Sequence, residues 1–335
     1  MTSKELAKIA GVSPSTISRV MNDSPLISEK RKEEIRRLAK EYGFMLNSQA
    51  QSLKTKKTGT IAILMPRYFT DLCTNIFFTH LYDVISTELA QYEYDIMVIY
   101  SSQHATSHLS PLERMVRIRK ADGFLILRPH LSEDEIAILD NGKIPYTAIF
   151  MQNILQPLKS MFYINTEHGG YLAGRHFGSN PFDRILFLGL EGESVDNGPR
   201  LRGFLRGLKE GGYEGEVETL SGEMSMNGGY EAIMGNRGTI VSNSAIYVYN
   251  DMMAFGAINA LTRLGYSVPM DVELLGTDDI PLASSFRPQL STVHAPVKEL
   301  AHHACKTLIA SIQEEGENSI IQEYKPHLIL RETTK

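Results

Sequence analysis

The 335-residue chain has no tryptophan and only two cysteines, Cys73 and Cys305. Two cysteines are too few for a disulfide framework, and they match no metal-ligand spacing. No run of about 18 apolar residues occurs, so no membrane-spanning helix is expected. Residues 1–25 carry Lys4, Glu5, Lys8 and Arg19 and lack an apolar core segment, so they do not form a signal peptide, and a cytoplasmic location is expected. Catalytic signatures are missing too. There is no phosphate loop of the G-x-x-x-x-G-K type, no H-E-x-x-H pair and no G-x-S-x-G elbow. His302-His303 and His104/His108 come nearest to a metal spacing, but ten histidines give such pairs by chance. No metal, no cofactor and no enzymatic activity are expected.

Acidic residues are scarce at one end. Residues 1–57 hold 12 Lys and Arg against 6 Asp and Glu, a net charge of +6. Of the chain's 34 basic and 39 acidic residues, 22 and 33 are left for the rest, a net of −11. A small basic head on a large acidic body points to a polyanion as the head's partner.

The head's pattern says how that partner is met. Leu6, Ala7, Ile9 and Ala10 form the apolar stripe of a short helix, and Gly11 ends it. Ser13 reads as an N-cap, with Pro14 at the first helical position, where its missing N–H costs nothing. Thr16, Ile17, Val20 and Met21 continue this second helix to Asn22-Asp23. Two short helices joined by a glycine-containing turn make a helix-turn-helix. Ser28 reads as the cap of a third helix, with Ile35 and Leu38 inward and Arg31, Lys32, Arg36, Arg37 and Lys40 outward. A plain three-helix bundle would have no use for Ser13, Ser15, Thr16, Ser18 and Arg19 on one exposed face. Short hydroxyls and a guanidinium suit phosphates and base edges in a major groove.

The run from Lys4 to Asn22, KELAKIAGVSPSTISRVMN, resembles the headpiece signature of the LacI/GalR repressor family. The resemblance implies that the second helix reads double-stranded DNA. Pro14 and Ser15 then fall at the positions that select operators, and Arg19 at an arginine that reaches a base. The expected DNA-contacting set in the head is Ser13, Pro14, Ser15, Thr16, Ser18, Arg19, Asn22, Ser28 and Arg31. Residues 46–57 are polar and basic, with only Ala50 and Leu53 as apolar partners after Leu46, and cannot form a stable isolated helix. In the family this stretch is a hinge that becomes helical on DNA. The resemblance places Asn47, Ala50 and Leu53 in the minor groove, with Leu53 as a wedge between base steps.

From Thr58 onward short apolar runs alternate with amphipathic stretches. Thr60–Met65, Ile96–Tyr100, Gly123–Leu127, Tyr146–Phe150, Phe162–Asn165, Ile185–Leu188, Val217–Leu220, Ala245–Val248 and Leu274–Thr277 read as buried strands. Strand–helix alternation over this length means α/β architecture with parallel sheets, and ligands of such folds sit at the carboxyl ends of the strands. The resemblance continues through Asn75-Ile76-Phe77-Phe78, Ala121-Asp122-Gly123, Arg200-Leu201-Arg202-Gly203-Phe204, the run from Tyr249 to Gly256, Gly276-Thr277-Asp278-Asp279-Ile280 and Leu290-Ser291-Thr292-Val293. It implies a two-lobed, periplasmic-binding-protein-like effector domain that also dimerises. The expected division is residues 1–45 for the DNA-binding domain, 46–57 for the hinge and 58–335 for the effector domain. Lobe 1 is expected over about 58–162 and 290–322, lobe 2 over about 163–289 and 323–335.

Within the cleft, Asp251 follows a strand and opens a helix, where capping would explain it but not the neighbouring Asn250. Asp278 and Asp279 would repel each other in a purely structural turn. Arg200 opens a helix, a poor place for a cation beside the helix dipole. The resemblance gives Arg200, Asn250 and Asp278 the role of hydrogen-bonding a small effector. Phe69, Phe150, Asn165 and Met224 complete the expected effector set, with Tyr163 a further aromatic candidate. A guanidinium with carboxylates is the chemistry that grips vicinal hydroxyls, so a sugar or sugar derivative is the expected effector, with sugar phosphates open. The expectation is a homodimeric repressor on a pseudo-palindromic operator, controlling carbohydrate use. A non-sugar metabolite, a protein corepressor, or a sugar receptor with no transcriptional role are the alternatives.

Overall fold

The computed structural model describes residues 1–44, 57–65, 76–100, 109–128, 131–149, 158–192, 194, 196–313 and 319–335. The chain divides into two compact units, residues 1–59 with 119–122, and the remainder. The expected hinge lies outside the described residues except for Lys57.

In the head, helix α1 (Ser3–Ala10) opens on a reciprocal cap. The Thr2 hydroxyl accepts from Glu5 N at 3.3 Å, and the Glu5 carboxylate accepts from Thr2 N at 2.8 Å. Gly11 closes the helix at φ +62°, a left-handed conformation that glycine adopts without strain. Helix α2 (Pro14–Met21) begins with Pro14 behind the Ser13 cap. Helix α3 (Glu29–Glu41) follows, and Leu6, Ala7, Ile17, Val20, Ile35, Ala39 and Phe44 close a core among the three. Burying each large aliphatic side chain there contributes about 1.5–3 kcal/mol.

Two expectations for α3 change. Lys32 is buried, not outward: its stem packs into the head while its ammonium reaches Asp23 at 3.0 Å and Glu29 at 2.7 Å. Ser28 occupies the N-cap position, but its side chain makes no capping bond; its backbone carbonyl accepts from Arg31 N and Lys32 N instead. Downstream of the hinge, the Asp122 carboxylate accepts three hydrogen bonds, from Thr58 N, Thr58 Oγ1 and Gly59 N, at 2.6–2.9 Å.

The larger unit is built on two six-stranded sheets. The first has the order β11-β5-β4-β3-β1-β2 and is parallel throughout. Its strands are β1 (Thr60–Met65), β2 (Asp95–Tyr100), β3 (Gly123–Ile126), β4 (Tyr146–Ile149), β5 (Ser160–Ile164) and β11 (Ile320–Tyr324). Helices α4 (Ile76–Ala90), α5 (Pro111–Arg117), α6 (Glu133–Gly142) and α11 (Val297–Ile312) accompany it. Leu81, Ile85 and Leu89 of α4 join Leu300, Ala304 and Leu308 of α11 in its core.

The second sheet has the order β12-β10-β9-β8-β6-β7, with β12 alone antiparallel. It comprises β6 (Arg184–Leu190), β7 (Val217–Gly222), β8 (Ser244–Val248), β9 (Val272–Asp278), β10 (Ser291–His294) and β12 (His327–Ile329). Helices α7 (Thr166–Gly178), α8 (Asn197–Gly211), α9 (Met226–Gly235) and α10 (Asp251–Arg263) belong with it. All nine expected strands are present, near their expected bounds.

The expected lobe boundaries need correction. Ser291–His294 pairs with β9, so the strand after residue 290 lies in the second sheet, not the first. The chain therefore passes between the sheets after Ile164, after His294 and after Tyr324. Residues 291–294 therefore go with the second sheet, where β10 pairs in parallel with its sequence neighbour β9. Among the described residues, no helix is long and apolar enough to cross a membrane.

Helices α7 and α8 touch backbone to backbone. A Cβ at Gly170 would lie 2.0 Å from the Arg200 carbonyl oxygen, and one at Gly203 would lie 1.9 Å from that of Glu167. Only glycine permits that approach, and it fixes where the first turn of α8 stands.

Candidate DNA-reading helix and effector site

On the head, Pro14, Ser15 and Arg19 are exposed along α2, and Thr16 and Ser18 are half-buried, while Ile17 and Val20 face the core. The expected face is thus presented, but its hydroxyls are already engaged. Ser13 Oγ accepts from Thr16 N at 3.2 Å and bonds Ser15 Oγ at 2.7 Å and Thr16 Oγ1 at 2.9 Å. Asn22 Nδ2 donates to the Ser18 carbonyl at 2.6 Å. Arg31, also expected to contact DNA, is partly exposed. Its guanidinium ties α3 to the end of α1 through the Ala10 carbonyl at 2.9 Å and pairs with Glu34 at 2.6 Å. Asn47, Ala50 and Leu53 lie outside the described residues.

In the larger unit, the carboxyl ends of β8 and β9 and the first turn of α8 bring a charged cluster together. Arg200 is only 6% exposed, and its Nη1 donates to the Tyr249 carbonyl oxygen. The guanidinium carbon lies 4.4 Å from the centroid of the Tyr249 ring. Burial disfavours its charge, but Tyr247, Tyr249, Asp278 and Asp196 more than offset that and raise its pKa. Asp278 ends β9 at φ +116°, and Asp279 follows at φ +57°, both outside the ordinary range for side-chain-bearing residues. Strain of this kind costs of order 1–3 kcal/mol per residue and collects at functional sites.

The two adjacent carboxylates stand in different surroundings. Asp279 pairs with His294 Nδ1 at 2.8 Å and Arg331 Nη2 at 2.7 Å, and these bonds hold its carboxyl below the usual range despite burial. Asp278 has no such support. Burial pushes its carboxyl up to about 7 against the pull of Arg200, and Asp196 adds to the push.

The helix cap falls to Asn250 and not to Asp251. Asn250 is the cap of α10, its Oδ1 accepting from Met253 N at 2.8 Å. Asp251, fully buried, instead accepts from Ile280 N at 2.9 Å and Thr292 Oγ1 at 2.6 Å, which pins the strained turn after β9 to β10. Adjacency could not show this, because either side chain can serve as a cap. Capping consumes the Asn250 acceptor and leaves its amide nitrogen as the group able to meet a ligand.

The remaining expected residues stand apart. Asn165 caps α7 through His168 N at 2.8 Å. It lines an open cavity of about 490 Å³ with Tyr163, His168, Arg202, Arg206 and Lys325, a lining that does not include Arg200, Asn250 or Asp278. Met224 is exposed in the loop after β7. Phe69 and Phe150 lie outside the described residues. Among the described residues, no group of three or more His, Cys, Asp or Glu could hold a metal.

Residues 2–47 match the family described as bacterial regulatory proteins, lacI family, and residues 175–334 match a periplasmic binding protein-like domain. The chain joins a LacI-family helix-turn-helix domain to a periplasmic-binding-protein-like domain. It is 28% identical over 346 residues to the HTH-type transcriptional repressor PurR of Vibrio vulnificus, covering 100% of this chain and 98% of that one. The Lac repressor dimer bound to operator and the anti-inducer ONPF shares the fold, with a TM-score of 0.82 at 24% identity, over 100% of this chain and 99% of that one. A LacI family transcriptional regulator from Enterococcus faecium with bound ribose is 26% identical, with a TM-score of 0.70, over 82% of this chain and 98% of that one.

Within this LacI-family architecture, Asp196, Tyr247 and Tyr249 join the cluster without having been expected there. Asp196 stands four residues before Arg200, one helical turn away on the same face, and that spacing was the available signal. Tyr247 looked like an ordinary strand residue of β8, and Tyr249 directly follows that strand.

Proposed function

We propose that this protein is a sequence-specific repressor that binds operator DNA through α2 and is controlled by a small effector held near Arg200, Asn250 and Asp278. The observation that carries the DNA-binding part is the exposed row Pro14, Ser15 and Arg19 on a helix seated by Ile17 and Val20. Ser13, Thr16, Ser18, Asn22 and Ser28 frame that row. Asn47, Ala50 and Leu53 of the hinge add the minor-groove contacts of the reading. A homodimer on a pseudo-palindromic operator follows from two-fold reading of paired half-sites, and the Lac repressor relative is itself a dimer on operator. The protein acts in the cytoplasm.

For the effector, the proposal is a sugar, and the genes controlled serve carbohydrate use. Carboxylates and a guanidinium gathered by the end of β9 and the first turn of α8 suit vicinal hydroxyls, and a relative carries ribose. Effector binding shifts the population between DNA-competent and incompetent forms, which requires different effector affinities for the two. A second reading, a purine-related effector, draws on the PurR relatives. A gel shift on the DNA upstream of the gene, with and without sugars or purines, tests both. Absence of a specific shift both with and without these compounds would remove the repressor reading; a response to purines alone would replace the sugar.

A further inference from the structure

The loop between α5 and β3 carries two cations for which the fold has no use. Ile118 closes α5, and Arg119 follows at φ +48°. Glycine is the usual residue in that left-handed position after a helix, and a side chain there is strained. Arg119 and Lys120 are exposed, and among the described residues neither makes a hydrogen bond or an ion pair. The other charges of the loop are already engaged. Arg117 pairs with Glu113 at 2.7 Å, and the Asp122 carboxylate accepts from Thr58 and Gly59.

Those last bonds give the loop its place. They fasten it to the residues that directly follow the expected hinge. Arg119, three residues before Asp122, stands no more than about 11 Å from that anchor. Residues 119–122 accordingly group with residues 1–59 and not with the rest of the effector domain. Lys57, exposed beside the anchor, extends the same basic surface.

Residues 58–335 hold 22 basic and 33 acidic residues, a net charge of −11, and DNA repels such a body. Salt screens exposed charges beyond about 8–10 Å, so the charge that counts is the one nearest the DNA. With the hinge on DNA, as proposed above, its exit is where the effector domain comes nearest, and there Arg119 and Lys120 reverse the sign. An exposed guanidinium and ammonium without partners are suited to phosphates of a duplex backbone, contacts that position a protein without reading sequence.

We infer that Arg119 and Lys120 form a phosphate-binding site for duplex DNA on the effector domain itself, beside the hinge exit. The inference rests on the operator-binding reading and adds a contact made by the sensing part of the chain. The occupant is the same DNA that α2 reads, met on its backbone. The effector domain thereby holds DNA directly as well as through the hinge.

The test is DNA affinity of the full chain as a function of salt, on the duplex upstream of the gene and on an unrelated duplex. Arg119→Gly and Lys120→Gln are each expected to weaken binding to both duplexes alike and to keep the preference between them. In a dimer each should reduce the slope of log affinity against log salt by about 1.8, which is about 0.9 for one phosphate contact per protomer. Arg119→Lys should keep the parent slope, since the charge stays. Arg119→Gly should melt at or above the parent temperature, because glycine takes the left-handed backbone without strain. Unchanged slope and affinity in both charge-removing variants, with specific binding by the parent intact, would overturn the inference and leave the repressor reading in place. Weaker binding to the specific duplex alone, at unchanged slope, would make the loop a support for the hinge and overturn it. A melting temperature lowered by several degrees, with DNA binding lost in step, would make the two side chains structural and overturn it as well. A parent that binds no duplex specifically would remove both readings.

Discussion

The head and the second sheet's cluster prepare polar surfaces in opposite ways. On α2 the groups are small and solvated, and they are already bonded to one another, as Ser13 is to Ser15 and Thr16. At the end of β9 they are buried, charged and strained, with atoms of Asp196 and Arg200 unpartnered. The first surface costs the fold almost nothing and can be rewritten residue by residue. The second is held in place against its own energetics by close packing, as Gly170 against Arg200 and Asp251 against the turn at Ile280 show. A surface that meets DNA in water needs only the right groups outward, whereas one that grips a small molecule needs them dry.

The sharpest way to break that contrast is Arg200→Ala. Removing the cation among buried carboxylates should cost about 3–5 kcal/mol of unfolding free energy, read by urea denaturation. A loss within about 0.5 kcal/mol, the size of an ordinary surface change, would mean the cluster is not held as a charged unit.

Asp278→Asn comes next and should separate stability from binding. Effector affinity is expected to fall at least tenfold, about 1.4 kcal/mol. The empty protein should gain stability, and the sign of its pH dependence is fixed. Folding raises this carboxyl from 3.8 to about 7, so its contribution favours the fold at acid pH and is lost as pH rises through 7. The gain in melting temperature from Asp278→Asn is therefore larger at pH 8 than at pH 5, and an equal gain at both would refute the raised value.

Arg19→Ala tests the other side of the contrast. It should remove about 1–3 kcal/mol of base discrimination if the contact is bidentate, with no change in melting temperature because the side chain is exposed. Footprinting with matched and mutated operators measures it. Unchanged discrimination would mean that α2 is wrongly oriented.

The smallest effect is expected from Thr2→Ala. It should cost about 1 kcal/mol through the lost cap of α1, visible as a lower head melting temperature with operator sequence preference intact.

The same contrast explains what the sequence revealed. The caps of α1 and α2 and the strands β1–β9 were legible because each depends on local residue order or on a largely apolar run such as Thr60–Met65. The last three strands, β10 to β12, were not, and the two at sheet edges show why. Ile320–Tyr324 contains Gln322 and Glu323, and His327–Ile329 is three residues long, so neither carries the signal of a strand buried on both faces. Lys32 departs from expectation because its residue type predicts exposure, and Asp23 from the preceding loop together with Glu29 one turn back on α3 makes burial tolerable. In the cleft, Arg200 and Asp278 stood out by chemistry, whereas which of Asn250 and Asp251 caps a helix depends on where Ile280 and Thr292 lie.

The three passages of the chain between the sheets set an order of events during synthesis. Neither sheet is complete until residues 320–329 supply β11 and β12, and Thr333 closes the second one through its carbonyl to Leu274 N and its hydroxyl to Ser291 N. The head needs nothing beyond residue 44 for its core. Domains fold as they emerge, N-terminal first, so on the ribosome the operator-reading surface forms while the sensor that governs it is still hundreds of residues from completion.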